Sequence, residues 1–271
     1  MGGDRAPQIV IEGADIVSSQ RNDIEFSFFG DESKIVPIIQ NCRHLKDRYT
    51  ITHTTEAISS SEKPSNALRR FPKSSIRMAI NSLKDKKNDV VVSAGNTGAL
   101  MAIAKVVLRP LDKISRPAIV TTIPNAKEKG TVMLDLGANI DCNEEILFQF
   151  AIMGNAFARI IHNLENPSIG LLNVGSEELK GHEILKNVAS MIKESNLKDQ
   201  FHGFVEGDDI TKGSVDVVVT DGFTGNVTLK TIEGTVKFVG GLVRKGFMNS
   251  IFSKIGYLFA GPSLTKVTKT V

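Results

Sequence analysis

The chain has 271 residues, 41% hydrophobic and 23% charged, which is enough apolar material for one large core or two smaller ones and excludes a disordered chain. A formal net charge of +3 is too small to indicate nucleic acid as a partner, and no apolar run reaches the roughly 18–20 residues that span a bilayer. The first ten residues lack the pattern of a secretory signal, and Cys42 and Cys142 form no CxxC motif, so a reducing compartment is expected.

Short apolar runs alternate with helical patterns along the chain. The predicted strands are 24–29, 49–52, 89–92, 118–123, 132–134, 168–172, 201–205 and 215–220. The predicted helices are 7–19, 33–42, 74–84, 97–108, 143–162, 181–194 and 224–246, and 59–75 is predicted to be a loop. This alternation predicts an α/β fold with a mostly parallel sheet and helices on both of its faces.

Glycine-rich polar loops follow several of these strands. They are SAGNTG at 93–98, DLGAN at 135–139, NVGSEELKG at 173–181, VEGDDI at 205–210 and TDGFTGN at 220–226. Because ligands bind at the carboxyl ends of parallel strands, the sequence predicts one polar site at that edge of the sheet.

The SAGNTG loop precedes a predicted helix. Its glycines allow close backbone approach, and a helix that begins near Thr97 directs free N–H groups at the loop, which favours a bound anion such as phosphate. An ordinary strand–turn–helix connection with Asn96 or Thr97 as the N-cap explains the same residues. Neither GxGxxG nor GxxxxGK[ST] is present.

Single polar residues in the other loops each have two interpretations. Lys180 can neutralise a phosphate or an oxyanion, or it can be a solvated lysine. Asp221 can orient a lysine or accept a proton and Asn226 can donate, or the pair can form a turn and a helix cap, and Asp135 and Asn139 have the same alternatives.

His53 is the histidine at a predicted strand end, where it can act as a general acid or base or as a hydrogen-bonded loop residue. No Ser-His-Asp arrangement can be assembled around Ser93, because it is not in a GxSxG motif. No metal-ligand spacing is present.

Taken in order, the loops resemble a known family. The matching segments are MGGD at 1–4, THTTE at 52–56, VSAGNTGALMA at 92–102, RPAI at 116–119, LDLGAN at 134–139, LLNVGSEELKG at 171–181 and TDGFTGNVTLKTIEG at 220–234. The chain is similar, essentially end to end, to the bacterial phosphate acyltransferases of the PlsX family.

The resemblance implies acyl transfer from acyl-acyl carrier protein to inorganic phosphate, giving acyl phosphate for phospholipid synthesis. It implies the three-layer α/β/α fold of phosphotransacetylase and isopropylmalate dehydrogenase, a homodimer, and no cofactor or metal. It places the protein in the cytoplasm at the inner face of the cell membrane, with the glycerol-3-phosphate acyltransferase as a further partner and no nucleic acid.

On this resemblance the expected catalytic residues are Lys180, Asn226, Asp221 and His53, with His53 protonating the leaving thiolate. The residues expected to bind phosphate or the acyl substrate are Ser93, Gly95, Asn96, Thr97, Gly98, Asp135, Asn139, Asn173 and Asp4. The three aspartates Asp4, Asp135 and Asp221 are expected to orient donors, because a carboxylate repels phosphate.

The segment 246–261 is predicted to be an amphipathic helix that contacts membrane or a partner subunit. At 100° steps its apolar residues fall in one arc, and those expected to contact a membrane are Phe247, Ile251, Phe252, Ile255 and Phe259. A second basic cluster, Arg69, Arg70, Lys73 and Arg77, is either a docking surface for the acidic carrier protein or solvated surface.

Compared with the family pattern, a single acyltransferase domain over 1–271 is expected to lack the first strand and the C-terminal segment. Three alternatives remain: an acyl-CoA phosphotransacylase, an inactive membrane-surface binding remnant, and a dehydrogenase on the related fold. The missing dinucleotide fingerprint argues against the dehydrogenase.

Overall fold

The computed structural model describes residues 1–127 and 129–268, with the side chains of Ile251 and residues 262–268 outside the description. The chain divides into two compact units, Met1–Asp112 and the part from Lys113 onward, called here the N-terminal and C-terminal units. The single-domain prediction over 1–271 stays a prediction.

The N-terminal unit contains two parallel strands and five helices. In chain order these are α1 (Gln8–Gln20), β1 (Phe26–Gly30), α2 (Glu32–Ile39), β2 (Tyr49–His53), α3 (Pro64–Arg70), α4 (Ser75–Lys84) and α5 (Thr97–Val107). Gly30 lies opposite His53, so both strands end at the same edge. Helices α1 and α2 pack against the strands, and α3, α4 and α5 enclose a second apolar cluster.

Two predictions in this unit are wrong. The segment 89–92 is not a strand: Val90 and Val92 are 73% and 86% exposed, and the sheet described for this unit pairs β1 with β2 only. A β-branched run forms a strand only when a neighbouring strand completes its hydrogen bonds. The predicted loop 59–75 contains α3, which begins at Pro64 and buries Ala67.

The C-terminal unit is built on a five-stranded sheet. Its elements are β3 (Val120–Ile123), β4 (Thr131–Leu134), α6 (Glu144–Ile161), β5 (Ile169–Leu172), α7 (Glu183–Lys193), a 3-10 turn (Lys198–Gln200), β6 (Phe201–Val205), α8 (Gly207–Lys212), β7 (Val217–Val219), α9 (Gly222–Phe247) and α10 (Ile251–Thr268). The strand order is β3-β4-β7-β5-β6, with β3 antiparallel to β4 and the other pairs parallel.

Helices cover both faces of this sheet. Val132 and Leu134 pack with Phe150 of α6 in one core cluster, whereas Met133 packs with Ile210 of α8 in another. Alternate residues of a strand point to opposite faces, so β4 carries apolar residues on both faces, at Val132, Met133 and Leu134. The nearly continuous Val, Ile and Leu runs of the sequence follow from this layering.

The predicted single helix over 246–261 is wrong, because α9 ends at Phe247 and α10 begins at Ile251. The Ser250 hydroxyl accepts a hydrogen bond from the Ser253 N–H at 3.0 Å and so caps the new helix. Phe247 packs on the Tyr257 ring with centroids 5.3 Å apart. Within the described chain, none of the helices has the length and apolar content needed to cross a membrane.

Candidate functional site

The C-terminal unit gathers its polar loops at one edge. Because β4, β7, β5 and β6 are parallel, the loops 135–139, 220–226, 173–181 and 206–210 follow one another along the edge where these strands end. The antiparallel strand β3 begins at the same edge, since Val120 lies opposite Leu134. We call this set of loops the carboxyl edge.

The loop 135–139 is organised by one buried carboxylate. Asp135 is 0% exposed, and its Oδ1 accepts hydrogen bonds from the N–H groups of Ile119, Gly137 and Ala138 at 2.9, 3.3 and 3.1 Å. Its Oδ2 accepts from the backbone N–H and the side-chain Nδ2 of Asn139 at 2.7 and 2.9 Å. The buried charge therefore holds the loop and the start of β3 together.

The first turn of α9 lies directly on this loop. The Gly222 N–H donates to the Asn139 carbonyl at 2.8 Å, and a Cβ at position 225 would overlap the Asp135 carbonyl oxygen. Asp221 is the N-cap of α9 and accepts from the N–H and hydroxyl of Thr224, both at 2.8 Å. Asp221 is therefore bonded to its own helix end.

The two asparagines of this region differ. Asn139 is buried, and its amide donates to Pro117 as well as to Asp135, so both of its N–H bonds are used inside the protein. Asn226 is exposed beside Gly137, and among the described residues its amide has no hydrogen-bond partner. Of these two described asparagines, Asn226 is the one whose amide is free to donate to a bound molecule.

The loop 173–181 contains internal hydrogen bonds from Asn173 and an exposed ion pair. The Asn173 amide donates to the carbonyls of Gly175 and Lys180 at 3.0 and 3.1 Å, and Gly181 has a φ of +85° where a Cβ would overlap Asn173. Lys180 Nζ lies 2.9 Å from Glu177 Oε1, and both side chains are largely exposed. The hydrogen bond and charge of Glu177 raise the pKa of Lys180, which is therefore a cation at any physiological pH.

Cys142 adjoins the loop 135–139 as a half-buried thiol. Burial raises its pKa to about 11, with the Gly222 N–H lowering it, Asp135 and Asp221 raising it, and Arg116 lowering it. Its sulfur donates to the Asn139 carbonyl at 3.5 Å. A thiol so weakly acidic is not an activated nucleophile.

In the N-terminal unit the loop 93–98 is held by Asn96. Its Oδ1 accepts from the Ala99 N–H at 2.8 Å as the N-cap of α5, and its Nδ2 donates to the carbonyls of Ser59, Ser60 and Glu62 at 3.0, 3.2 and 2.9 Å. Asn96 is 9% exposed. Asn96 is therefore the N-cap of α5, as the capping alternative predicts, and its amide also joins this loop to the loop 59–62.

Other groups of this loop remain open. The Ser93 hydroxyl accepts from the Gly95 N–H at 3.2 Å. Thr97 is exposed at the first position of α5, and among the described residues its hydroxyl has no hydrogen-bond partner. A Cβ at Gly98 would lie 2.8 Å from Pro64 Cγ, so the loop also packs closely on α3.

The segment 1–4 contacts the same loop, because a Cβ at Gly3 would lie 2.7 Å from the Ala94 carbonyl oxygen. Asp4 follows as an exposed residue. His53, exposed at the end of β2, accepts from the Glu32 N–H through Nδ1 at 3.2 Å, which leaves Nε2 open. Both residues are thus accessible within the N-terminal unit.

The structure also assigns roles that sequence reasoning missed. Gly225 and Ile119 are structural parts of the carboxyl edge, through close backbone approach and through one N–H bond to Asp135. The signal that could have identified Gly225 is a glycine three residues into a helix that follows an Asp-Gly pair. The backbone bond of Ile119 leaves no signal in the sequence.

Comparison with known proteins places these features in a family. The family model described as "Fatty acid synthesis protein" matches residues 1–271. The chain is 49% identical to the phosphate acyltransferase of Paramagnetospirillum magneticum, over 98% of this chain and 76% of the relative. It is 50% identical to that of Parvibaculum lavamentivorans, over 96% of this chain and 72% of the relative.

Two solved structures have a similar fold. The chain matches a phosphotransacetylase from Streptococcus pyogenes with a TM-score of 0.56 and 13% identity, over 84% of this chain and 87% of that one. It matches the EutD phosphotransacetylase from Staphylococcus aureus with a TM-score of 0.52 and 11% identity, over 85% and 87%. The predicted three-layer α/β fold with a mostly parallel sheet is confirmed.

We expect Gly225→Ala to disrupt the carboxyl edge. The new methyl group would overlap the Asp135 carbonyl oxygen, which belongs to a fixed backbone, so the free energy of unfolding should fall by about 1–3 kcal/mol. Gly234→Ala in the same helix is the control, because a Cβ there has no neighbour within 4 Å and should be neutral or stabilise by up to about 1 kcal/mol. Urea unfolding measures both, and equal effects of the two substitutions would contradict the role of Gly225.

Proposed function

Since this chain belongs to the fatty acid synthesis protein family of phosphate acyltransferases, we propose that it transfers an acyl group from an acyl carrier protein thioester to inorganic phosphate. Family membership shows that the protein is an acyltransferase with phosphate as acceptor in fatty acid and phospholipid synthesis. We propose in addition that an acyl carrier protein carries the acyl group, that the residues named below have the roles given there, and that the protein is a dimer at the membrane surface.

In the proposed reaction a phosphate oxygen attacks the thioester carbonyl carbon. The carbonyl oxygen becomes an oxyanion, the carbon–sulfur bond breaks, and the thiolate takes a proton as free carrier is released. Holding the two reactants in line can lower the activation free energy by roughly 7–11 kcal/mol, and each well-placed oxyanion donor can lower it by about 3–4 kcal/mol. The protein therefore needs fixed donors and positive charge at the carboxyl edge.

The donors left free by the fold suit these tasks. In the proposed mechanism the unpartnered amide of Asn226 stabilises the oxyanion, and Lys180 exchanges Glu177 for the phosphate. Asp135, Asp221, Asn139 and Asn173 then act as positioning residues, because their polar atoms are bonded within the loops.

In the N-terminal unit we assign anion binding to the first turn of α5. Asn96 positions this turn, and its free N–H groups and the Thr97 hydroxyl are available to an anionic group of a substrate. His53, with Nε2 open, remains the proposed proton donor to the leaving thiolate, and Asp4 remains a candidate orienting residue. A glycerol-3-phosphate acyltransferase is the proposed consumer of the acyl phosphate.

The central experiment mixes the purified chain with acyl-acyl carrier protein and phosphate and measures free thiol. We expect release that requires phosphate, and Lys180→Met should lower kcat/KM about 10- to 100-fold, because one charge interaction with the transition state is lost. Lys193→Met is the matched control, since Lys193 is equally exposed and pairs with Glu178 at 2.7 Å. A folded chain that releases no thiol would contradict the proposed function, and an unchanged Lys180 variant would remove only Lys180 from the mechanism.

The acidic carrier protein is proposed to dock on the basic cluster of α3 and α4. Arg69, Arg70 and Lys73 are exposed, and among the described residues none of them, nor Arg77, forms an ion pair. Unpaired positive charge is available to an acidic partner.

We expect Arg69→Glu with Arg70→Glu to raise KM for acyl-acyl carrier protein at least 10-fold and to leave KM for acyl-CoA within about 2-fold, because only the carrier has an acidic protein surface. The control is Lys34→Glu with Lys105→Glu, which changes the net charge equally. Parallel assays also decide the alternative function, since a clear preference for acyl-CoA would make the protein a phosphotransacylase of acyl-CoA.

The exposed apolar faces of α9 and α10 are proposed to meet the membrane surface and a second subunit. Phe252, Leu258 and Phe259 are 87%, 78% and 82% exposed, and Ile255 is 50% exposed. Phe247 is instead partly covered by Tyr257, and the Ile251 side chain lies outside the described residues. Arg244, Lys245 and Lys254 place positive charge nearby, which suits an anionic lipid surface.

Vesicles of phosphatidylglycerol and phosphatidylcholine test this location by co-sedimentation. We expect Phe252→Ser with Phe259→Ser to reduce the bound fraction at least 5-fold, since two large apolar side chains are removed from the interface. Ile160→Ser is the control, because Ile160 is 80% exposed on α6. Unchanged vesicle binding with a shift from dimer to monomer in light scattering would assign this surface to the second subunit only.

A further inference from the structure

Arg116 lies at the carboxyl edge without a role in the site described above. It precedes β3, and because β3 is antiparallel to β4, the residues before Val120 lie beyond Leu134, beside the loop 135–139. An arginine at that place adjoins the loop that holds Asp135 and Asn139, which are proposed as positioning residues.

The backbone around Arg116 is fixed on both sides. The Ser115 N–H donates to Gln149 Oε1 at 2.7 Å, and the Pro117 carbonyl accepts from Asn139 Nδ2 at 2.8 Å. Two residues further on, the Ile119 N–H donates to Asp135 Oδ1 at 2.9 Å. The position of Arg116 is therefore coupled to the same residues that shape the loop.

The charge of Arg116 is not neutralised nearby. Its side chain is exposed, and among the described residues no carboxylate lies within 4 Å of it, whereas Lys180 is paired with Glu177. Burial and the charges of Asp135 and Asp221 raise the pKa of the Cys142 thiol, whereas the charge of Arg116 lowers it. Arg116 is thus an unpaired cation beside a loop whose carboxylate, Asp135, is hydrogen-bonded inside the protein.

We propose that Arg116 binds a phosphate group of a substrate at the carboxyl edge. A guanidinium presents several N–H donors in a rigid plane that matches two phosphate oxygens, and it keeps its charge at every accessible pH. The phosphate is either the inorganic acceptor or the phosphodiester of the phosphopantetheine arm that carries the acyl thioester. This inference rests on the proposed function, and it adds a second cation, besides Lys180, that binds a phosphate on the C-terminal unit.

The experiment compares Arg116→Lys, Arg116→Gln and, as control, Arg159→Gln. Arg159 is an exposed arginine in the last turn of α6, 15 residues from the helix start and so about 22 Å along its axis from the carboxyl edge. Each protein is assayed with acyl-acyl carrier protein and with an acyl-N-acetylcysteamine thioester, which lacks the phosphodiester.

We expect Arg116→Gln to raise the KM for one substrate, either phosphate or the carrier thioester, about 30- to 100-fold. Arg116→Lys should raise the same KM about 5- to 10-fold, because lysine keeps the charge and loses the planar donor pair. If the bound group is inorganic phosphate, its KM rises with both thioesters. If it is the phosphodiester, KM for the carrier thioester rises and the small thioester is unaffected. The Arg159 variant should match the parent protein.

A binding measurement separates this inference from the proposed function. Equilibrium dialysis with radioactive phosphate is carried out on the same proteins without acyl donor. If the parent protein binds phosphate and Arg116→Gln does not, the assignment holds even when no acyl phosphate forms. KM values and phosphate binding that stay within 2-fold of the parent in both Arg116 variants would overturn it. If Arg116→Gln does not fold, the Lys variant decides.

Discussion

The carboxyl edge of the C-terminal unit depends on one buried charge. Asp135 has no contact with water, so its two oxygens must be satisfied by the protein, and five N–H bonds from four residues do this. Because those donors come from the loop 135–139 and from Ile119 at the start of β3, one carboxylate determines the path of two chain segments. The first turn of α9 is then positioned against the loop 135–139 through Gly222 and Gly225.

The polar side chains of the carboxyl edge fall into two groups, those bonded inside the protein and those exposed. The polar side chains that shape the loops, such as Asn139, Asn173 and Asp221, have their hydrogen bonds inside the protein. The amide of Asn226 and the cations Lys180 and Arg116 are exposed. The proposed transfer of an acyl group to phosphate uses this combination, since donors placed by a rigid frame need not reorganise when the oxyanion forms.

The N-terminal unit uses an amide for the same purpose. Asn96 caps α5 and binds three carbonyls of the neighbouring loop, so the free first turn of the helix is held in place by an uncharged group. An uncharged brace leaves the positive helix end available to an anion, which a carboxylate at this position would partly neutralise. Asn96 therefore positions the start of α5, and the exposed Thr97 is the residue of this turn that we propose to bind the anion.

The sequence by itself determined the alternation of strands and helices and the loops that carry polar residues. Continuous Val, Ile and Leu runs are demanded wherever helices cover both faces of a sheet, and glycine with Asp or Asn marks the strand ends. Only the tertiary structure decided that 89–92 lacks a strand partner, that a serine cap divides 246–261, and which polar residues are bonded internally. The reason is physical: a strand needs a neighbour, and a side chain's role depends on which donors and acceptors the distant parts of the chain bring to it.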